Sequence, residues 1–255
     1  KISGYEARPI GANTGLKDIQ KIAETLGERG SIASTGRVQQ QDVWDAYREH
    51  ILKFLSPLSK PTRIFIDASN GMAGKLVPKV FEGVKNLEIL PLNFEITGSF
   101  AHDPNPLVAE NMVPTQQGVK QHGAALGACF DGDADRCMIT DEKGETIGCD
   151  HLAALLAEHF LKQTTGSTIV YDLRSSKVVE ERVKQLGGKT RRSRVGHVFM
   201  KHELRETKGV FGGELSGHFY FRDNYFADSG AVTLAAVLSV VNEKGKPLSE
   251  LVAPF

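Results

Sequence analysis

The alternation of short apolar segments with segments of helical period limits most strongly what this chain can fold into. Residues 63–67 (RIFID) have the pattern of a short strand that enters a turn, and a helical segment follows. The run of small apolar residues 125–130 is typical of a strand that is covered on both faces. The predicted strands are 63–67, 87–92, 125–130, 168–172, 189–194 and 209–213. The predicted helices are 17–29, 41–55, 76–81, 114–122, 150–162, 175–186, 197–206 and 228–242. Such alternation predicts an α/β protein with mostly parallel mixed sheets.

The length of the chain indicates more than one domain. Its 255 residues are too many for one small hydrophobic core and suit two domains of about 100–130 residues each. The α/β alternation restarts after a turn at 141–145, which predicts two consecutive three-layer α/β/α domains. The Gly/Ser/Thr-rich residues 30–36 are interpreted as a linker between the first two predicted helices.

The charge balance gives no reason to expect a nucleic-acid or membrane partner. Lys plus Arg number 31, and Asp plus Glu also number 31, so no global field favours a polyanion or a lipid surface. No run approaches the roughly 20 apolar residues of a membrane span, and residues 1–30 lack a signal-peptide pattern. The three cysteines favour a reducing compartment. We therefore expect a cytoplasmic protein.

Three carboxylates follow the apolar run 125–130 at every second position. Asp131, Asp133 and Asp135 repel one another unless a cation is bound, and hard oxygen ligands favour Mg²⁺. The intervening Gly132 and Ala134 are small, so the backbone is able to curl around an ion. Because open α/β sheets place their sites beyond the carboxyl ends of strands, this segment predicts a divalent-metal site.

Two other interpretations of the same segment remain open at this stage. A calcium EF-hand loop would place Glu142 at its twelfth position, but its sixth position needs glycine and here holds Arg136. The flanks also have the pattern of strands rather than helices. The second alternative is a solvent-exposed acidic turn that binds no ion. By itself the segment names no reaction.

Polar residues also cluster at two later strand-to-helix or strand-to-turn positions. Glu214, Ser216 and His218 alternate in a Gly-framed segment, so an extended loop would present all three on one side, suited to sugar hydroxyls; an incidental hairpin turn is the alternative. Gly196 and His197 precede a helix whose N–H groups could meet a phosphate, although a lone histidine is more often structural.

Two further turns carry weaker indications. Arg174 follows a predicted strand and could bind an anion bidentately, while Ser175 beside it could simply cap the next helix. Residues 70–74 (NGMAG) lack the lysine pattern of a phosphate-binding loop, so a tight turn is the better interpretation.

Taken in order and spacing, five segments resemble the α-D-phosphohexomutase superfamily, especially its bacterial phosphomannomutase/phosphoglucomutase members. They are 67–74 (DASNGMAG), 130–136 (FDGDADR), 171–176 (YDLRSS), 194–201 (RVGHVFMK) and 213–221 (GELSGHFYF). The resemblance implies four domains around a cleft, which carry in turn a phosphoserine, a metal loop, a sugar loop and a phosphate-binding loop.

On this resemblance, residues 1–40 are expected to be the end of domain 1 with a linker. Residues 41–144 would be the metal-binding domain 2 and 145–255 the sugar-binding domain 3, with domains 1 and 4 missing. No serine occurs here in a T-x-S-H-N-P-like context. The chain alone is therefore expected to be inactive and at most to bind Mg²⁺ and sugar phosphate.

The reaction implied by the resemblance interconverts hexose 1-phosphate and hexose 6-phosphate of mannose or glucose. Phosphoryl transfer from a phosphoserine would give a hexose bisphosphate, with Mg²⁺ bound by the three aspartates. The implied catalytic residues are Arg136 and His197, and the implied substrate-binding residues are Arg174, Gly196, His197, Glu214, Ser216 and His218. Phosphoglucosamine mutases share the S-G-H core and are the nearest alternative. Ala134 replaces a glycine of many relatives, which is tolerated unless a positive φ is required.

Overall fold

Two mixed sheets of the same topology organise the chain, in a computed structural model that describes residues 2–26 and 36–255. The first sheet contains β1 (Thr62–Asp67), β2 (Leu87–Leu92), β3 (Leu126–Phe130) and β4 (Cys137–Thr140), in the order β2-β1-β3-β4. Strand β1 pairs in parallel with β2 and β3, and β4 is antiparallel to β3.

The second sheet repeats this arrangement and adds one short strand. It contains β5 (Thr168–Asp172), β6 (Lys189–Ser193), β7 (Phe211–Gly213), β8 (Phe219–Phe221) and β9 (Ala227–Asp228), in the order β6-β5-β7-β8-β9. Strand β5 is parallel to β6 and β7, whereas β8 is antiparallel to both of its neighbours. The prediction of two consecutive α/β/α units with mostly parallel mixed sheets is confirmed.

Helices connect and cover the strands. They are α1 (Lys17–Leu26), α2 (Trp44–Leu52), α3 (Ala73–Phe81), α4 (Ala109–His122), α5 (Cys149–Gln163), α6 (Lys177–Gln185), α7 (His197–Glu206), α8 (Gly230–Lys244) and α9 (Leu248–Val252). No helix of the described residues is long and apolar enough to cross a bilayer.

Helix α8 joins the two units. Its residues from Gly230 to Val240 are all buried, as expected for a helix that is apolar on every side. The helix contacts β4 of the first sheet as well as α5. Its buried Ser239 accepts a hydrogen bond from Ser56 N at 2.7 Å and donates one to Phe54 O at 2.9 Å. The units are thus held by packing and by buried hydrogen bonds.

Several element boundaries differ from the prediction. Helix α4 begins at Ala109 and contains Pro114, which the sequence places in its first turn. The earlier start buries Asn111 and Met112, and this burial outweighs the disruption that an interior proline causes. Strands β4, β8 and β9 and helix α9 are too short for the sequence pattern to reveal. The predicted helical residues 27–29 and linker residues 30–35 lie outside the described residues.

Candidate active site

The three carboxylates predicted to bind metal lie together at the carboxyl end of β3. One oxygen from each of Asp131, Asp133 and Asp135 lies within 4.8 Å of the others. Asp131 is buried, Asp135 is partly buried and Asp133 is exposed. We call residues 130–136 the metal loop. Its ligand set consists of hard oxygens at mutual distances that one ion can span, so these residues fit Mg²⁺.

The backbone of the metal loop turns through a residue in the left-handed conformation. Ala134 has φ of 63°, in the left-handed region that favours glycine. The sequence left open whether this position requires a positive φ. The structure has a positive φ there, although the residue is alanine and not glycine. Its side chain is buried, so packing holds this conformation in place.

The turn after β1 packs against the metal loop. Met72 N donates to Gly132 O at 2.9 Å, and a Cβ on Gly71 would lie 2.6 Å from that same oxygen. The Ser69 hydroxyl donates to Phe130 O at 2.6 Å. Residues 68–72 thus form the turn between β1 and α3, whose backbone contacts the loop directly, and Ala73 and Gly74 of the predicted turn 70–74 already belong to α3.

Arg136 binds the buried aspartate of its own loop. Its Nε donates to Asp131 Oδ2 at 2.6 Å and its backbone N–H donates to Oδ1 at 3.1 Å. A third bond runs from Nη1 to Asn105 Oδ1 at 3.3 Å. The guanidinium therefore supplies the counter-charge for Asp131. It also attaches residues 97–108, which belong to the loop between β2 and α4, to the metal loop.

Sequence reasoning missed a second attachment of that segment. Asp67, at the end of β1, is fully buried and accepts hydrogen bonds from Ser69 N, Asn93 Nδ2 and His102 Nε2 at 2.8, 3.0 and 3.0 Å. Burial lowers the pKa of His102, but its bonds to Asp103 O and to Asp67 outweigh this effect and leave the pKa raised. An aspartate at the carboxyl end of a parallel strand was the available indication.

The segment Glu214–His218, which we call the sugar loop, is a hairpin turn between β7 and β8. Glu214 N donates to His218 O and Gly217 N donates to Glu214 O, with Gly217 at φ of 84°. Of the two interpretations that the sequence left open, the structure has the hairpin turn and not the extended loop, because this turn closes the ladder of two antiparallel strands. The turn nevertheless brings Ser216 Oγ to 2.9 Å from His218 Nδ1.

Glu214 is 2% exposed and both of its oxygens contact the protein. Oε1 accepts from Gly196 N at 2.8 Å, and Oε2 accepts from Tyr220 OH at 2.5 Å. Burial and the nearby Glu214 carboxylate raise the pKa of Tyr220, so the phenol stays a donor. Gly196 itself has φ of 121°, which favours glycine, and His197 begins α7 beside it. Glu214 therefore ties the turn before α7 to the sugar loop.

A second buried carboxylate at a strand end positions Arg174. Asp172, at the end of β5, accepts from Arg174 Nη2 at 2.7 Å and from Leu215 N at 2.9 Å. The hydrogen bond to Asp172 raises the pKa of Arg174, whose side chain remains 45% exposed. Ser175 is not the helix cap, because Ser176 occupies the position before α6. Arg174 is thus held in place but accessible.

The metal loop and the sugar loop meet. Arg136 and His218 form an isolated antiparallel β-bridge, and His218 Nε2 lies 3.3 Å from Asp135 Oδ1. A Cβ on Gly230, at the start of α8, would lie 2.8 Å from Ala134 O, so the backbones are in close contact there. Residues from the carboxyl ends of β3, β5 and β7 therefore converge, as expected for an open α/β sheet.

Comparison with known proteins identifies both units. A family model described as phosphoglucomutase/phosphomannomutase alpha/beta/alpha domain II matches residues 45–144. The model for domain III of the same family matches residues 149–255.

Individual relatives agree with these matches. A phosphomannomutase of Salmonella montevideo is 37% identical over 254 residues, covering 96% of this chain and 56% of its own length. The crystal structure of a phosphoglucomutase/phosphomannomutase family protein from Burkholderia thailandensis aligns with TM-score 0.83 and 32% identity, covering 92% of this chain and 50% of that one.

A more distant structure shares the fold. The N-acetylphosphoglucosamine mutase of Aspergillus fumigatus in complex with glucose 1,6-bisphosphate aligns with TM-score 0.63 and 14% identity, over 86% of this chain and 50% of that one. The chain spans about half the length of these proteins. It belongs to the phosphoglucomutase/phosphomannomutase family of the α-D-phosphohexomutase superfamily and comprises the family's α/β/α domains II and III.

Proposed function

We propose that the protein containing this chain is a phosphohexose mutase that interconverts the 1-phosphate and 6-phosphate of mannose or glucose. The observation that carries the proposal is the β-bridge between Arg136 and His218, which joins a carboxylate metal loop to a polar loop suited to sugar hydroxyls. Because the chain covers 56% of the Salmonella relative, the activity is proposed for the whole protein. We further propose that it operates in the cytoplasm.

We propose that the reaction proceeds through a phosphoserine supplied by another domain and a hexose bisphosphate. Asp131, Asp133 and Asp135 would hold Mg²⁺, and the bound ion would neutralise charge on the transferring phosphoryl group. The glucose 1,6-bisphosphate bound by the Aspergillus relative supports a bisphosphate ligand for this fold. In this proposal residues 41–144 form the metal-binding domain and 145–255 the sugar-binding domain, and residues 1–40 belong to the preceding domain and its linker.

The accessible groups divide between phosphate and sugar. Arg136 would support the phosphate nearest the metal loop, with its Nε already directed by Asp131. Arg174 is half exposed and would meet the other phosphate or the sugar, together with Gly196 and His197 at the start of α7.

The sugar hydroxyls would contact Ser216 and His218, which are both partly exposed. We propose that Glu214 binds the sugar as well. Its two oxygens already accept hydrogen bonds from Gly196 N and Tyr220 OH, and the lone pairs that remain on them would accept from the sugar. Its burial assigns it the additional role of fixing the loop that carries Ser216.

The decisive experiment is a coupled assay of the full-length protein with mannose 1-phosphate, glucose 1-phosphate and glucosamine 1-phosphate. We expect Mg²⁺-dependent turnover of the first two and its loss in Asp133→Asn. Glu110→Gln, an exposed carboxylate on α4, is the control and should keep full activity. Preference for glucosamine phosphate would favour the phosphoglucosamine mutase alternative, which shares the S-G-H core. No turnover of any hexose phosphate would refute the proposal.

A separate measurement addresses residues 1–255 alone. We expect this chain to bind Mg²⁺ and hexose phosphate in calorimetry without converting the sugar. Turnover by the isolated chain would contradict the assignment of the phosphoserine to another domain.

A further inference from the structure

A buried ion pair joins helix α7 to strand β9. Lys201 Nζ lies 2.8 Å from Asp228 Oδ1, and the two side chains are 7% and 4% exposed. Charged side chains are almost never buried to this extent without a partner, because each charge loses its hydration on folding. The pair therefore holds α7 and β9 in one relative position, since a shift of either element would separate the two charges in the protein interior.

One member of the pair lies on the helix that begins with His197. Lys201 follows His197 by four residues, so the two side chains lie one turn apart on the same face of α7. Gly196, directly before the helix, donates its N–H to Glu214. A shift or rotation of α7 would therefore move Lys201 and His197 together and change how His197 lies relative to the sugar loop.

The other member lies where the sugar loop, α8 and the metal loop come together. Asp228 pairs with Tyr220 in the ladder of β8 and β9, and β8 begins directly after His218. Asp228 Oδ2 is 4.0 Å from His218 Nε2. Ser229 follows as the N-cap of α8, and the first residue of that helix, Gly230, is in close contact with the metal loop. A displacement of Asp228 would therefore be felt in both loops.

Apolar packing by itself defines the position of α7 less sharply. Met200 and Leu204 of this helix form a buried cluster with Val170 and Tyr220, and apolar contacts are not directional. A buried ion pair contributes little net stability, because the desolvation of both charges offsets their attraction. A role in fixing position therefore accounts for the pair better than a role in stability.

We infer that Lys201 and Asp228 are positioning residues, which set how His197 at the start of α7 lies relative to His218 in the sugar loop. Both side chains are buried, so they act through the groups that they hold and not by touching the substrate. Their effect on turnover rests on the proposed mutase function, whereas their effect on the placement of the two histidines does not.

Steady-state kinetics of the full-length protein test the effect on turnover. Lys201→Met with Asp228→Asn removes both charges together, so no unpaired charge stays buried. We expect kcat to fall on the order of tenfold, because a displacement of about 1 Å in a site is costly to the rate. The KM for the hexose phosphate should change less, and an unchanged Mg²⁺ stoichiometry in calorimetry would show that the protein is still folded.

Two control variants change α7 without touching the buried pair. Arg191→Gln with Glu203→Gln removes a more exposed ion pair, which joins β6 to the same helix. His202→Gln changes the exposed neighbour of Lys201. Both controls should keep kcat and KM, since neither removes a contact between α7 and the sugar-loop hairpin.

Histidine ring signals give a readout that does not depend on activity. In ¹H–¹⁵N spectra of full-length protein with labelled histidine, the signals of His197 and His218 are assigned from His197→Gln and His218→Gln. We expect both signals to shift in the Lys201→Met, Asp228→Asn variant. The signal of His122, an exposed histidine in the first unit, should stay in place.

Asp228→Glu keeps the inference testable if the double variant fails to fold. Glutamate retains a carboxylate for Lys201, so no buried charge loses its partner, but its longer side chain moves that carboxylate relative to His218. We expect a folded protein with lowered kcat and a shifted His218 signal. Absent turnover in the unmodified protein would refute the proposed function instead, and the ring signals alone would then decide the positioning role. Unchanged kcat in both variants of an active protein, or an unchanged His218 signal in both, would overturn the inference.

Discussion

Arg136 and His218 pair through their backbones, although one follows a strand of the first sheet and the other precedes a strand of the second. The pairing fixes the distance between the metal loop and the sugar loop. Gly230 lies beside the same junction, because a Cβ there would be 2.8 Å from Ala134 O and 3.0 Å from Arg136 O. The metal loop is therefore coupled to helix α8 of the second unit.

We expect Gly230→Ala to weaken Mg²⁺ binding and lower the Tm. Alanine stabilises a helix interior by about 1 kcal/mol relative to glycine. Gly230 is the first residue of α8, and there the new Cβ would press on backbone carbonyls. Calorimetry and thermal melts measure both effects. Gly148→Ala is the control, since its Cβ would meet no backbone atom but only side-chain atoms, Asp150 Oδ1 at 3.1 Å and His151 Cγ at 3.9 Å. A raised Tm with unchanged Mg²⁺ affinity in Gly230→Ala would contradict the coupling.

Asp133→Asn should lower Mg²⁺ affinity by about tenfold or more, which corresponds to about 1.4 kcal/mol of binding free energy. Its carboxylate is exposed, so the metal-free fold does not depend on it, and less repulsion with Asp131 and Asp135 should leave the metal-free Tm equal or slightly higher. Calorimetry with Mg²⁺ and melts in EDTA separate the two effects. A collapsed Tm with intact Mg²⁺ affinity would count against the metal site.

Arg136→Ala should destabilise the metal-free protein by on the order of 3 kcal/mol, because it leaves the buried Asp131 carboxylate without its cation. Added Mg²⁺ should then raise the stability of the variant more than that of the unmodified chain. Arg136→Lys should recover only part of the loss, since an ammonium cannot reproduce the guanidinium geometry. Urea unfolding with and without Mg²⁺ provides the measurement. Equal Mg²⁺ stabilisation of all three proteins would disprove this role.

The contact between His102 and Asp67 should make stability depend on pH. The folded protein raises the pKa of His102, so it binds that proton more tightly than the unfolded chain does. The contribution is complete below the unfolded value of about 6.5 and is lost as pH rises through the higher folded pKa. The free energy of unfolding should therefore fall across this window. His102→Gln should abolish that fall, whereas His202→Gln should retain it; identical slopes in all three proteins would rule out the contact as the cause.

The sequence predicted the strands near the site well. Their apolar runs end in polar residues, and the period of the intervening helices is regular, so β1, β3 and β5 could be located from these patterns alone. The start of α4 was missed because Pro114 suggests a first turn, and only tertiary burial of Met112 shows why the helix extends before it. Strands as short as β8 and β9 carry no periodicity of their own.

The residues of the candidate site were named by local spacing, but their partners were not. Asn105 holds Arg136, Gly196 N binds Glu214, and Asp172 binds Leu215 N, yet these partners are 31, 18 and 43 residues apart and no local spacing marks them. A hydrogen bond between segments depends on how the sheet orders its strands, which local patterns do not specify.

The sequence by itself determined the α/β class, the carboxylate loop and the order of the motifs, because these depend on periodicity and spacing along the chain. Only the tertiary structure decided that Glu214 is buried, that the sugar loop is a tight hairpin turn, and that His218 reaches Asp135. The first two arise within the second unit, from the pairing of β7 with β8 and from the contacts of Glu214 with Gly196 and Tyr220. The third depends on the packing of α8 between the two units, and the free energy of that packing belongs to no single segment.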